Sequence, residues 1–151
     1  MRKHAYIIDR RYFLLLILIP HTIHQIQTGI TPMWEDKANV DGGRWLMTLN
    51  TNYRFNGLDS FWREVMLYLI GGETETDVIN GAVANIRNKA DKISIWLSIA
   101  SCDGMDGPRI LDIGKRLKER MKIPEHITIH FEVHKEAQNK RGSVSKFAYT
   151  I

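Results

Sequence analysis

The sequence predicts an α+β fold built on a mainly antiparallel sheet, and three observations carry that expectation. Apolar and polar residues alternate with period two in several short segments. Two other segments, Asp59–Ile70 and Pro108–Lys122, carry apolar residues at helical spacing. Strands and helices do not follow one another as regular βαβ units, which argues against a parallel crossover sheet. At 151 residues, 44% hydrophobic and 25% charged, the chain suits one globular domain and is too apolar to stay disordered.

From the N-terminus, the longest apolar run is Tyr12–Ile19. It is too short to span a bilayer. It follows basic residues, as a signal-peptide core would, but the polar and bulky stretch His21–Gln27 offers no small-residue cleavage site. The run reads as a buried strand or as an extension outside the fold. Arg44–Asn50 alternates, with Trp45, Met47 and Leu49 on one face and Arg44, Leu46, Thr48 and Asn50 on the other. After the break at Asn56-Gly57, a helix is expected over Asp59–Ile70 with Leu58, Trp62, Val65 and Leu69 inward and Ser60, Arg63, Glu64 and Leu67 outward. Gly71-Gly72 ends it.

A hairpin follows, Ile79–Arg87 and Lys92–Ile99, turning at Asn88–Asp91. Its alternation puts Arg87, Lys92 and Trp96 on one face near the turn. The Gly/Asp-rich loop 103–108 leads into the second helix, whose stripe is Ile110, Ile113, Leu117 and Met121; Pro124 stops it. His126–His134 alternates again, setting Ile127, Ile129, Phe131 and Val133 against His126, Thr128, His130, Glu132 and His134. A polar basic loop over Lys135–Lys146 precedes a last strand, Phe147–Ile151.

Charge and motifs narrow the chemistry. The formal net charge is +4, but Arg2, Lys3, Arg10 and Arg11 against Asp9 supply most of it, so the remaining chain is nearly neutral. Contact with a nucleic acid must therefore come from a local cluster rather than a general field. One cysteine, Cys102, excludes an internal disulfide and fits a reducing compartment. Histidines four apart on a strand lie about 13 Å from one another, too far for one metal ion. No phosphate-binding glycine loop, serine-hydrolase elbow or zinc-protease motif occurs, so neither an enzyme nor a metal or cofactor is expected.

Met33-Trp34-Glu35-Asp36, just after Pro32, places a loop tryptophan beside two carboxylates. Trp34 either folds back on the core or binds a ligand. With Trp96 and the Arg87/Lys89/Lys92 cluster it makes a kit for one nucleotide: a slab for the base, a carboxylate for ring N–H groups, and cations for phosphates.

The runs Gly29-Ile30-Thr31-Pro32-Met33-Trp34-Glu35-Asp36 and Gly42-Gly43-Arg44-Trp45-Leu46-Met47-Thr48-Leu49 resemble the eukaryotic translation initiation factor 4E family, the mRNA cap-binding proteins. So do Phe61-Trp62 through Gly71 and Gly81-Ala82-Val83 through Trp96, collinear from about Gly29 to Ile151. The resemblance implies a curved sheet backed by helices on its convex side, with the 7-methylguanosine cap held on the concave side. It implies a cap-binding domain at 29–151 and a non-matching segment at 1–28. By similarity Trp34 stacks on the base, Glu35 accepts its N1 and N2 hydrogens, and Trp96 lies against the N7-methyl group. Arg87 and Lys92, with the more peripheral Arg44 and Lys89, match the phosphate-binding positions. Ser60, Arg63, Glu64 and Leu67 match the face that receives the 4G-type scaffold protein and the 4E-binding proteins. Lys140, Ser143 and Lys146 match a regulatory loop. The resemblance also implies a cytoplasmic site, with the nucleus as a second location.

The family's second stacking tryptophan has no counterpart among the 33 residues before Trp34, where Tyr6, Tyr12 and Phe13 are the aromatics. Its first strand and helix have none either, and Tyr12–Ile19 gives no register for pairing in that place. Arg63 stands where the family usually has leucine. These departures imply weaker cap and partner binding, and as the alternative a cap-weak or cap-incompetent truncated paralogue that competes for partners or represses translation.

Overall fold

The computed structural model describes residues 5–7, 14–19, 22–50, 57–71, 77–102, 104–138 and 147–151. The elements run β1 (Ala5–Ile7), β2 (Leu14–Ile19), β3 (Thr22–Gln27), β4 (Gly43–Asn50), α1 (Asp59–Ile70), β5 (Ile79–Asn85), β6 (Ala90–Leu97), α2 (Asp106–Arg120), β7 (Ile129–Val133), α3 (His134–Gln138) and β8 (Tyr149–Thr150). The eight strands among the described residues join one sheet in the order β1-β2-β3-β5-β6-β4-β7-β8, and every pairing is antiparallel. This is the α+β architecture that the alternation implied, with a curved sheet.

One face of the sheet builds the core. Trp45, Met47 and Leu49 of β4, Ile93, Ile95 and Leu97 of β6, Ala82 and Ala84 of β5, and Ile129 and Phe131 of β7 are all buried there with residues of α1 and α2. On α2 the expected stripe, Ile110, Ile113, Leu117 and Met121, is buried throughout. Gly114 lets this helix lie against Trp45, because a Cβ at that position would fall 2.3 Å from the indole ring. The indole N–H donates to the Ile110 carbonyl at 3.1 Å, which fixes helix to strand.

On α1 the buried set is Phe61, Val65, Tyr68 and Leu69 with Leu58 before it, while Trp62 is only half-buried. The stripe is thus rotated from the expected one. Steps of three and four residues are both helical, and Phe carries no N–H that would need a partner inside.

Within the polar and bulky stretch His21–Gln27, Thr22–Gln27 forms β3 and pairs residue for residue with β5, Ile23 opposite Ala84 and Gln25 opposite Ala82. His24 and Gln25 are buried by their neighbours rather than by their own apolarity, which is why alternation did not expose them. The outer edge of β5 is therefore paired, not bare. Leu14–Ile19 joins one place further out, against β3. Among the described residues no helix precedes β4.

Gly81 makes room for β3. Its φ is +151°, the β5–β6 register shifts between Ile79 and Gly81, and a Cβ would meet the Gln25 carbonyl at 2.2 Å. At the other end, the expected loop after His134 begins instead as the short helix α3. The His134 N–H donates to the Gly42 carbonyl at 3.0 Å and Lys135 pairs with Asp41, so α3 is tied to the start of β4.

Candidate nucleotide-base pocket

The face opposite the helices is set by register. Arg44 on β4 lies between Trp96 on β6 and Glu132 on β7, and Trp96 lies opposite Gly81 on β5. Alternation puts these side chains, with Ser94 and Lys92, on the side away from the core. Trp96 is buried against Ile26, Val83 and Ile30, and its indole N–H donates to the Ser94 hydroxyl at 3.2 Å. Its ring is 4.8 Å from that of His134 at 57°.

Trp34 arrives from the loop between β3 and β4, and that loop is braced internally. The Asp36 carboxylate accepts the Thr31 N–H at 2.7 Å and the Ala38 N–H at 2.9 Å. Those two amides, Ala38 first, hold the Asp36 carboxyl below its ordinary pKa. The fully buried Asn39 donates from its side-chain amide to the carbonyls of Met33 and Thr31, at 2.8 and 3.0 Å. Asn80 donates to the Asn39 side-chain oxygen at 2.9 Å and to the Ala38 carbonyl at 2.7 Å. The His134 ring bonds the Asn39 carbonyl through Nδ1 at 2.7 Å, which makes Nδ1 the protonated nitrogen of the neutral ring. Burial holds the His134 pKa below its ordinary value.

The result is a cavity of about 480 Å³ lined by Trp34, Arg44, Trp96, His134 and Ala137. Trp34 is 42% exposed although it lines the pocket, so its indole is presented rather than folded into the core. Arg44 donates from Nε and Nη2 to one oxygen of Glu132, at 3.0 and 2.7 Å. Two indoles and an imidazole around a cleft suit a flat, electron-poor ring, and the Arg44 charge beside them is met by Glu132.

The structure thus brings together Trp34, Trp96 and Arg44. Glu35 follows Trp34 in the chain and is exposed. Arg87 and Lys89 are exposed in the β5–β6 connection and Lys92 is half-buried opposite Thr48 and Asn85; none of the three is among the lining residues. The Arg87 N–H donates to the fully buried Asp91 carboxylate at 3.0 Å, which shapes that connection. On α1, Ser60, Arg63 and Leu67 are exposed and Glu64 half-buried, with Leu67 at 51%. Lys140, Ser143 and Lys146 lie outside the described residues, as do Tyr12 and Phe13. Among the described residues no group of three or more His, Cys, Asp or Glu could hold a metal ion. His130 instead bonds the Thr128 and Thr150 hydroxyls, at 3.2 and 2.9 Å, and stacks on Phe147.

Sequence reasoning missed Asn39, Asn80 and His134 as parts of this site. An asparagine five residues after Trp34 was the available signal, but only the loop's closure gives it meaning.

Fold and pocket define a class: an antiparallel sheet with α1 and α2 packed on one face and an indole-lined cleft on the other. The family model for eukaryotic initiation factor 4E matches residues 17–148, twelve residues further upstream than the motifs reach. The chain belongs to the eukaryotic initiation factor 4E family. It is 42% identical over 125 residues to the human eukaryotic translation initiation factor 4E, covering 82% of this chain and 56% of that one. It thus spans little more than half of that relative. Among solved structures it resembles Ascaris suum eIF4E-3 in complex with an m7G cap, with a TM-score of 0.74 and 37% identity over 86% of this chain and 68% of that one. It likewise resembles Caenorhabditis elegans eIF4E-3 in complex with the 4E-binding protein Mextli and a cap analogue, with a TM-score of 0.73 and 35% identity, at the same coverage.

Proposed function

We propose that this chain binds the 7-methylguanosine 5′ cap of mRNA and acts in translation initiation as a binding protein, not an enzyme. The observation that carries the reading is the convergence of Trp34 and Trp96, 62 positions apart in sequence, on one cavity beside Arg44. Methylation at N7 makes the purine cationic, so stacking on an indole gains a cation–π contribution of about 0.5–2 kcal/mol. The same charge makes N1–H a better donor to the Glu35 carboxylate, in a charge-assisted bond worth about 1.5–3 kcal/mol. Arg87, Lys89 and Lys92 take the outer phosphates.

The solved relatives in complex with a cap or a 4E-binding protein support cap and partner binding, and the partner role falls to the outer face of α1 by its exposed Leu67. There Ser60, Arg63, Glu64 and the exposed Leu67 present one apolar side chain among polar ones to a 4G-type scaffold or a 4E-binding protein. Arg63 lies 4.0 Å from Glu64 and 3.5 Å from the Ser60 hydroxyl, so this face is more polar than a leucine in its place would make it.

The test is retention of the chain on immobilised 7-methyl-GTP. Elution by free 7-methyl-GTP but not by GTP is expected; equal elution by both removes the cap reading.

A further inference from the structure

Arg44 is not a free cation. It faces Glu132 directly across the β4–β7 ladder, and both Nε and Nη2 donate to the same carboxylate oxygen. The Glu132 side chain is 8% exposed and that of Arg44 31%, so water screens this pair little on the Glu132 side. The pair therefore adds no net charge to the pocket floor. Among the described strand residues of this face the next cation is Lys92, four residues along β6 from Trp96, or roughly 13 Å away at strand spacing.

We propose that Glu132 is a specificity-determining positioning residue of the pocket. By holding Arg44 in the ion pair, it cancels the cation nearest the base and confines phosphate recognition to the β5–β6 turn. The inference rests on the cap reading and deepens it. A neutralised pair leaves the indoles free to favour a cationic base, and an occupied guanidinium gives little to the first phosphate. The pocket then discriminates by the methylated base and by the distal phosphates, and weakly by the proximal one.

The experiment compares binding of 7-methylguanosine, 7-methyl-GMP and 7-methyl-GTP to the wild type, E132Q, and E132Q with R44Q, by tryptophan fluorescence titration. In the wild type, adding the first phosphate to the nucleoside is expected to change affinity little. In E132Q the freed Arg44 should enlarge that step about tenfold, the scale of one charge-assisted hydrogen bond. The added R44Q substitution should return the step to its wild-type size, a reversal that a merely structural effect of E132Q would not produce. An unchanged first-phosphate step in E132Q, or an enlarged step that survives R44Q, overturns the proposal while leaving cap binding intact. A wild type that binds none of the three ligands overturns the cap reading and this one with it.

Discussion

Replacing Trp34 by alanine separates binding from stability, because the side chain that lines the pocket is also 42% exposed. Its loop is held by Asp36, Asn39 and Asn80, none of whose bonds involves the indole. An exposed substitution of this kind costs within about 0.5 kcal/mol, or at most roughly 2 °C in melting temperature for a chain of this size. Losing one base–aromatic stack costs about 1–3 kcal/mol, equivalent to a 5- to 150-fold weaker Kd for 7-methyl-GTP. Trp96→Ala is the contrast. That indole is 7% exposed, bonded to Ser94 and packed on Ile26 and Val83. Its removal should cost about 3–5 kcal/mol and lower the melting temperature by roughly 6–20 °C. Fluorescence titration with 7-methyl-GTP and melts by circular dichroism read the two quantities. Unchanged ligand affinity in Trp34→Ala, at an unchanged melting temperature, would refute the assigned pocket.

Three further outcomes are expected. Gly114→Ala should destabilise: the new Cβ meets the buried, hydrogen-bonded Trp45 ring at 2.3 Å, and overpacking of about 1–3 kcal/mol exceeds the gain in helix propensity of about 1; a melting temperature equal to or above wild type contradicts the packing described. Burial holds His24, His130 and His134 below their ordinary pKa, so the unfolded chain takes up protons first as pH falls. The stability they confer is complete above about pH 6.5 and is lost as pH drops through the folded values, so urea midpoints should decline between about pH 7 and 5; a flat profile counts against it. Leu67→Ala should abolish capture by a 4E-binding protein without altering 7-methyl-GTP affinity, and a pull-down that retains the partner removes α1 as the docking face.

Much of the framework was legible in the sequence for local reasons. The β4, β6 and β7 alternations and the α2 stripe each bury one face of a regular element, and period reports that directly. Trp34 and Trp96 stood out because an indole in a Pro-flanked loop and another on a polar strand face are each unusual, and the motifs around them resemble one family. The strand β3 did not show, since His24 and Gln25 are polar and are buried in a strand flanked by β2 and β5. The inward choice of Phe61 over Trp62 was equally closed to periodicity, which allows both.

What the sequence determined by itself is the set of faces: which side of each strand is apolar, where the helices run, and which side chains are left to meet a ligand. What the tertiary structure decided is who stands beside whom. Arg44 carries the same charge in either account, but register across two strand pairs places it between Trp96 and Glu132. His134 likewise changes from a polar strand position to a buried wall of the pocket once Asn39 closes the loop over it. Register and loop closure are set by long-range contacts, and these carry no local period for a sequence to display.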